Sequence, residues 1–350
     1  MIKLIPLLIV ALITVAGAVR LASWFDLRIT GKNSVDEGIY VDLCDQEQFL
    51  RIRGEDQSNP VVIWLHGGPA GPDSYVNHVW QKYMVGNYTF INWDQRGCGR
   101  TYFHNIELDP ENKTVTFDQA LLDLDELVNY ACSRFGCKKV ILVGHSYGSL
   151  LGSKYAMDHP EKVSAYVGVG QMVSLESEEL SYQQALSLAK NQDENTDEME
   201  AAYTAWQQNG SIINMMNLRK HTYPYLQAEK KTNLLWLGLS SPYMWASDFR
   251  WFFVQMKDME EYFAINQPLF DHIMDADVRT YGKRHTVPTG FISGSDDWTT
   301  PAQMTKEYHD RLLAPRKRFA LMDGSGHTPQ LDDPKTFAEV LENMLEELLP

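Results

Sequence analysis

Hydrophobic positions fall into short runs that alternate with segments of helical period, and the alternation is interrupted once, in the middle of the chain. Residues 39–44 and 48–53 each read as a short strand, joined by Asp45-Gln46-Glu47. Val61–Leu65 is apolar throughout, as parallel strands buried on both faces tend to be. Residues 88–93 are mixed, but their aromatic and β-branched side chains favour a strand. Thr116 followed by Gln119 makes a capping box, and the helix it opens carries Leu121, Leu122, Leu124 and Leu127. A strand over 139–143, a helix over 147–159 stopped by Pro160, and a strand over 163–169 complete the first series.

From about 171 to about 285 the alternation disappears. This stretch is rich in Glu, Gln, Met and aromatics, with helical windows at 178–190 and 197–208 and no convincing buried strand. A strand over 289–293, a helix over 301–313, a strand over 318–322 and a helix over 337–349 then follow. The economical description is an α/β sheet with a helical insertion: core over 36–170 and 286–350, helical cap over 171–285.

The N-terminus differs from the rest. Residues 4–19 are apolar or small and end at Arg20. About 20 apolar residues span a bilayer, so the run is short but usable. Ala16-Gly17-Ala18 also has the small-residue pattern of a signal-peptidase site. The lack of a polar face argues against a helix buried in the fold. Residues 1–25 are therefore expected to be a signal peptide or membrane anchor. Lys3 favours a cytoplasmic N-terminus, which implies an extracytoplasmic protein, either anchored or secreted.

Composition narrows the partners. Lys plus Arg number 31 against 46 Asp plus Glu, a net charge of -15. Phosphate binding needs clustered cations, so no nucleic acid is expected, and membrane contact only through the N-terminal segment. Four cysteines do not make a disulfide scaffold in 350 residues. Cys132 and Cys137 flank a helix end at Gly136 and read equally as a local disulfide or as two packed thiols. Cys44 reads as a strand residue. No Cys/His spacing resembles a zinc site, so neither metal nor cofactor is expected.

Gly144-His145-Ser146-Tyr147-Gly148 lies between a predicted strand and a predicted helix. Such a turn must be sharp, which requires small flanking residues, and it lifts the serine above the carboxyl edge of the sheet at the helix N-terminus. A nucleophilic serine needs a base, and the base an orienting carboxylate, in the chain order Ser, acid, His. Asp297 follows the strand at 289–293, with Gly294 three residues before it and Pro301 four after; Asp296 is its competitor. His327, after the next strand, is the base. The strand Val61–Leu65 ends in His66-Gly67-Gly68-Pro69-Ala70-Gly71-Pro72, whose glycines let the backbone approach a substrate. The Gly68 and Tyr147 amides are the expected oxyanion donors. His66 and His145 read as bracing residues.

His66-Gly67-Gly68-Pro69, the segment Asp94-Gln95-Arg96-Gly97-Cys98-Gly99 and Gly144-His145-Ser146-Tyr147-Gly148-Ser149 together resemble the proline iminopeptidase branch of the α/β hydrolases. The resemblance covers roughly residues 38–348. It implies an α/β-hydrolase fold, with a mostly parallel sheet of eight strands, helices on both faces and a helical cap after the sixth strand. It also implies that Asp94-Gln95-Arg96-Gly97 braces the loops around the site. Members of that branch hold the substrate's free α-amino group with cap glutamates, and the segments that carry those glutamates have no counterpart here. Glu176 and Glu178 open the cap and either hang over the site or belong to a solvated face. The aromatics around Trp236 and Trp245 either line an apolar pocket or pack the cap core. The expected activity is an acyl-enzyme serine hydrolase on a small molecule or short peptide, most simply an aminopeptidase. A carboxylesterase and a non-catalytic binding protein are the alternatives.

Overall fold

The computed structural model describes the backbone of residues 4–257 and 259–349, and the side chains of residues 14–255 and 259–349. The apolar runs assemble into one eight-stranded sheet: β1 (Val35–Leu43), β2 (Gln46–Gly54), β3 (Val61–Leu65), β4 (Thr89–Asp94), β5 (Val140–His145), β6 (Val163–Val169), β7 (Thr289–Gly294) and β8 (Lys317–Met322). Their order is β1-β2-β4-β3-β5-β6-β7-β8, antiparallel over β1, β2 and β4 and parallel from there on. Strands β3 to β7 are buried almost end to end, because helices cover both faces. One side of the sheet packs Leu124, Leu127 and Leu151 against Ile63 and Leu142. The other packs Trp80, Phe337 and Leu341 against Val62 and Val143.

The first hairpin turns one residue earlier than its sequence suggests. Leu43 pairs with Gln46, so the turn is Cys44-Asp45, both at positive φ (52° and 65°). That backbone suits a two-residue hairpin, and it removes Cys44 from the strand.

Helices α1 (Leu4–Asp26), α2 (His78–Gln81), α3 (Gly99–His104), α4 (Phe117–Phe135) and α5 (Tyr147–Asp158) belong to the first part of the chain. Between β6 and β7 lie α6 (Ser177–Asn191), α7 (Asp197–Gln208), α8 (Ile212–Thr222), α9 (Leu234–Ser240), α10 (Ala246–Lys257), α11 (Met259–Ile265) and α12 (Gln267–Asp275). Helices α13 (Ala302–Arg311), α14 (Pro329–Asp332) and α15 (Pro334–Leu348) close the fold. At α4, Thr116 caps the N-terminus by accepting from Gln119 N–H, and Gly136 ends it in the left-handed conformation. Cys132 and Cys137 are both free thiols, 3.6 Å apart.

The N-terminal expectation is corrected. Among the described residues no helix is long and apolar enough to cross a membrane, and the extracytoplasmic, anchored or secreted placement loses its basis. The side chains of residues 4–13, on which much of that expectation rested, lie outside those described. Helix α1 instead runs on past Arg20 to Asp26 and packs against α9, and Arg20 donates to the carbonyls of Pro242 and Met244 in the segment that follows α9.

Candidate active site

Ser146 is the hinge between β5 and α5, with φ 52° and ψ -121°. A non-glycine residue at positive φ stores strain that its surroundings must hold. Here the Ser146 amide donates to Val169 O at 3.0 Å, tying the turn to the end of β6. The flanking glycines are needed for space: a Cβ on Gly144 would lie 2.4 Å from Gly148 O, and one on Gly148 2.2 Å from Leu65 O.

Three loops at the carboxyl edge bring the polar residues together. Ser146 Oγ and His327 Nε2 are 2.9 Å apart, and His327 Nδ1 lies 3.0 Å from Asp297 Oδ2. Asp297 is 2% exposed and accepts from the amides of Thr299 (2.9 Å) and Thr300 (2.8 Å) and from the Thr300 hydroxyl (2.7 Å). Burial by itself would push this carboxyl up, but His327 and the Thr300 donors outweigh it and hold the group below the usual carboxylate range. Asp296, the competitor, turns away and accepts from Glu229 N–H at 3.0 Å.

Gly68 (φ 119°) precedes a cis bond to Pro69. Among the described residues neither the Gly68 nor the Tyr147 amide meets an acceptor. The inserted helices hold this loop by its carbonyls: Tyr262 Oη donates to Pro69 O (2.5 Å), and Trp251 Nε1 to Ala70 O (2.9 Å). Beneath it His66 is fully buried, bonded to Gly67 O and Gln95 N, and burial pushes its pKa down to about 4. His145 contacts the carbonyl of His327 at 2.8 Å and is pushed down to about 3 by burial. Both are therefore neutral and brace the loops. Cys98 is buried against His66 and Gln95 O, and burial raises its thiol, so it is a packed thiol. Arg96 fastens the same loop to α4 through Asp123, at 2.6 and 2.8 Å.

Two cavities, of about 170 and 440 Å³, meet at Ser146 and share Gly68, Arg219 and Thr299. The smaller is walled mainly by Met172, Leu175, Ile212, Met215, Phe263 and Phe270. A still larger one of about 510 Å³ lies elsewhere, by Arg279 and Tyr308, and does not reach the serine. The expected cap residues do not gather at Ser146. Glu176 pairs with Arg279 (2.8 Å) beside that remote cavity, and Trp245 is 66% exposed. Trp236 lines neither cavity, and its amide is spent on Asn233 at the start of α9. Glu178 is buried in an ion pair with Arg219 and lines neither cavity. Glu176 and Trp245 lie just ahead of α6 and α10, and each of the four is turned to a neighbouring element or to solvent by its local packing, which hydropathy does not record.

Arg219 is the residue that sequence reasoning missed. The spacing Ile212, Met215, Met216, Arg219 marks one face of α8, and all four line the smaller cavity. A cation ending an apolar stripe was a readable signal. Among the described residues no group of three or more His, Cys, Asp or Glu side chains gathers as a metal site would.

A strand-serine-helix turn, an Asp-His pair on the two following loops and helices inserted after the sixth strand define a class, and the family comparison agrees. The alpha/beta hydrolase fold family matches residues 60–334, and the chain belongs to it, in its proline iminopeptidase-like branch. Among its relatives, the Bacillus subtilis protein named probable aminopeptidase YbaC is 26% identical over 307 residues, 84% of this chain and 92% of that protein. Proline iminopeptidase of Lactobacillus delbrueckii subsp. lactis is 25% identical over 321 residues, 87% and 97% of the two chains. In structure, the proline iminopeptidase-related protein of Thermus thermophilus superposes with a TM-score of 0.61 at 20% identity, covering 90% of this chain and 99% of its own. The fold and the relatives make this protein a hydrolase.

Proposed function

We propose that the chain is a serine hydrolase that cleaves an amide or ester bond through an acyl-enzyme on Ser146. One observation carries the reading: Ser146, His327 and Asp297 lie in a hydrogen-bonded line of 2.9 and 3.0 Å beside two unengaged amides. In the proposed mechanism His327 Nε2 takes the Ser146 proton as the oxygen attacks the carbonyl. The carbonyl oxygen becomes an oxyanion that accepts from Gly68 and Tyr147 N–H. Asp297 keeps the Nδ1 proton in place and stabilises the imidazolium, which then protonates the leaving group. Water, activated by the same imidazole, releases the acid and restores the serine. No step calls for a metal or cofactor. In this reading residues 171–285 form the cap that walls the acyl cavity.

On substrate, the names of the relatives favour an aminopeptidase-like role on short peptides. A carboxylesterase is the second reading, favoured by a specific feature of the site. Among the described residues no unpaired carboxylate lines either cavity to hold a substrate ammonium. Asp73, which does line the larger one, is tied to Trp64 and Asn77 and pushed up to about 7 by burial. A binding-only role would leave three aligned side chains without purpose. Proline arylamide and short nitrophenyl esters assayed side by side rank the two enzymatic readings. Turnover of the ester alone, with no free-amine peptide cleaved, sinks the aminopeptidase. Full turnover in Ser146→Ala sinks the mechanism for both.

A further inference from the structure

Arg219 sits in the last turn of α8, on the face that looks down on Ser146. Its Nε is 3.1 and 3.2 Å from the two Glu178 oxygens, and its Nη2 also donates to Glu178. Glu178 is 3% exposed, so this carboxylate is a buried anchor that fixes the guanidinium and stays out of substrate reach. Arg219 Nη1 has no acceptor among the described residues, while the side chain keeps 17% of its surface and lines both cavities beside the serine. Every other Asp, Glu, Lys or His side chain lining those cavities, among the described residues, is hydrogen-bonded within the protein: Asp73 to Trp64 and Asn77, His145 to the carbonyl of His327, His327 to Ser146 and Asp297.

A guanidinium has five N–H donors in a rigid fork, and Glu178 takes up only the Nε and Nη2 side of it, which leaves Nη1 free to donate to a second acceptor. Among the described residues no side chain accepts a hydrogen bond from Nη1; the guanidinium lies over the Tyr223 ring, 5.7 Å from its centroid, and its free edge is left open to an acceptor on the substrate. We propose that Arg219 reads a carboxylate on the substrate, placed within a few bonds of the carbonyl that Ser146 attacks. The planar fork matches a carboxylate better than a single carbonyl oxygen, and a charge-assisted pair discriminates against a neutral twin. The carboxylate belongs either to the C-terminus of a dipeptide or to the free acid of a dicarboxylic monoester. This deepens the serine-hydrolase reading and rests on it only for what is cleaved; recognition by Arg219 stands apart from the chemistry.

The experiment therefore measures binding to Ser146→Ala protein by calorimetry, with two matched pairs: alanyl-alanine against alanyl-alaninamide, and monomethyl succinate against dimethyl succinate. At least one acid is expected to bind about 10- to 100-fold more tightly than its neutral twin, and the pair that shows it identifies the source. Arg219→Gln alone would leave Glu178 buried and unpaired, so the variant is Arg219→Gln with Glu178→Gln, which keeps an amide pair in the same place. In it the preference should fall to near parity, whereas Lys220→Gln on the exposed side of α8 should keep it. Equal binding of acids and neutral twins in both pairs, or a preference that survives the double substitution, overturns the proposal. Acid-selective binding with no turnover by the wild type upholds Arg219 and removes the acyl-enzyme reading instead.

Discussion

Replacing Asp297 with asparagine tests the site at its least exposed atom. Both backbone donors, from Thr299 and Thr300, point at Oδ1, so an asparagine must keep its oxygen there. Its NH₂ then takes the place of Oδ2, 3.0 Å from His327 Nδ1. A donor at that spot bonds the Nδ1 lone pair and moves the ring proton to Nε2, facing Ser146 Oγ. The imidazole can no longer accept the serine proton, and the imidazolium that forms during reaction loses its counter-charge. At 3 Å and an effective dielectric of 20 that charge pair is worth about 5 kcal/mol, or roughly 10³- to 10⁴-fold in kcat/KM. The assay is kcat/KM on a nitrophenyl ester from pH 6 to 9, with a melting curve to show that the variant folds. Asp296→Asn is the control, because Asp296 faces Glu229, and a change of no more than a few-fold is expected. A loss under about tenfold in Asp297→Asn, or an equal loss in both variants, would refute the reasoning.

Three further outcomes follow from the packing. Gly148→Ala puts a Cβ 2.2 Å from a backbone carbonyl and should cost about 3 kcal/mol or more, or abolish folding, whereas Gly136→Ala, with open space around its left-handed backbone, should cost about 1 kcal/mol; urea melts of the two separate crowding from strain. Asp248→Ala strands the buried Arg100 guanidinium, which joins α3 to α10 at 2.7 Å, and a loss of about 3–5 kcal/mol in chemical denaturation is expected; a loss under 1 kcal/mol would count against that pair as a clamp. The unfolded chain protonates His66 and His145 near pH 6.5, but the folded chain only near 4 and 3. Their stabilisation is therefore complete above about pH 6.5 and drains away as pH falls through the folded values, by roughly 3 kcal/mol for His66 alone; a Tm that stays flat from pH 6.5 to 4 would contradict it.

Much of this was legible in the sequence where local rules and tertiary demands coincide. Val61–Leu65 and Val163–Val169 are central strands because only apolar side chains tolerate burial on both faces, and the pattern states that directly. The glycines around Ser146 announce a turn too tight for a Cβ, and the chain order of acid and histidine follows from which strand ends reach the same edge. Legibility failed where a residue's role depends on a distant partner. Cys44 looked like a strand residue because positive φ at a hairpin leaves no mark on hydropathy. Glu176 and Glu178 looked alike, yet one meets Arg279 at the surface and the other is buried under Arg219, about forty residues later in the chain. The aromatics from Trp236 to Phe253 scattered similarly: Trp251 holds the Ala70 carbonyl, Phe252 lines the larger cavity, and Trp245 faces solvent. At the N-terminus an apolar run was read against bilayer thickness, while Arg20 shows the helix continuing onto the body of the protein.

The central claim is that Ser146 is the one activated nucleophile, and covalent labelling tests it most directly. Native protein treated with a fluorophosphonate should gain a single adduct by intact mass, mapped to Ser146 on digestion. The adduct should be absent from Ser146→Ala and from protein unfolded before treatment. No adduct on folded wild type, or one at another residue that persists in Ser146→Ala, would contradict the account.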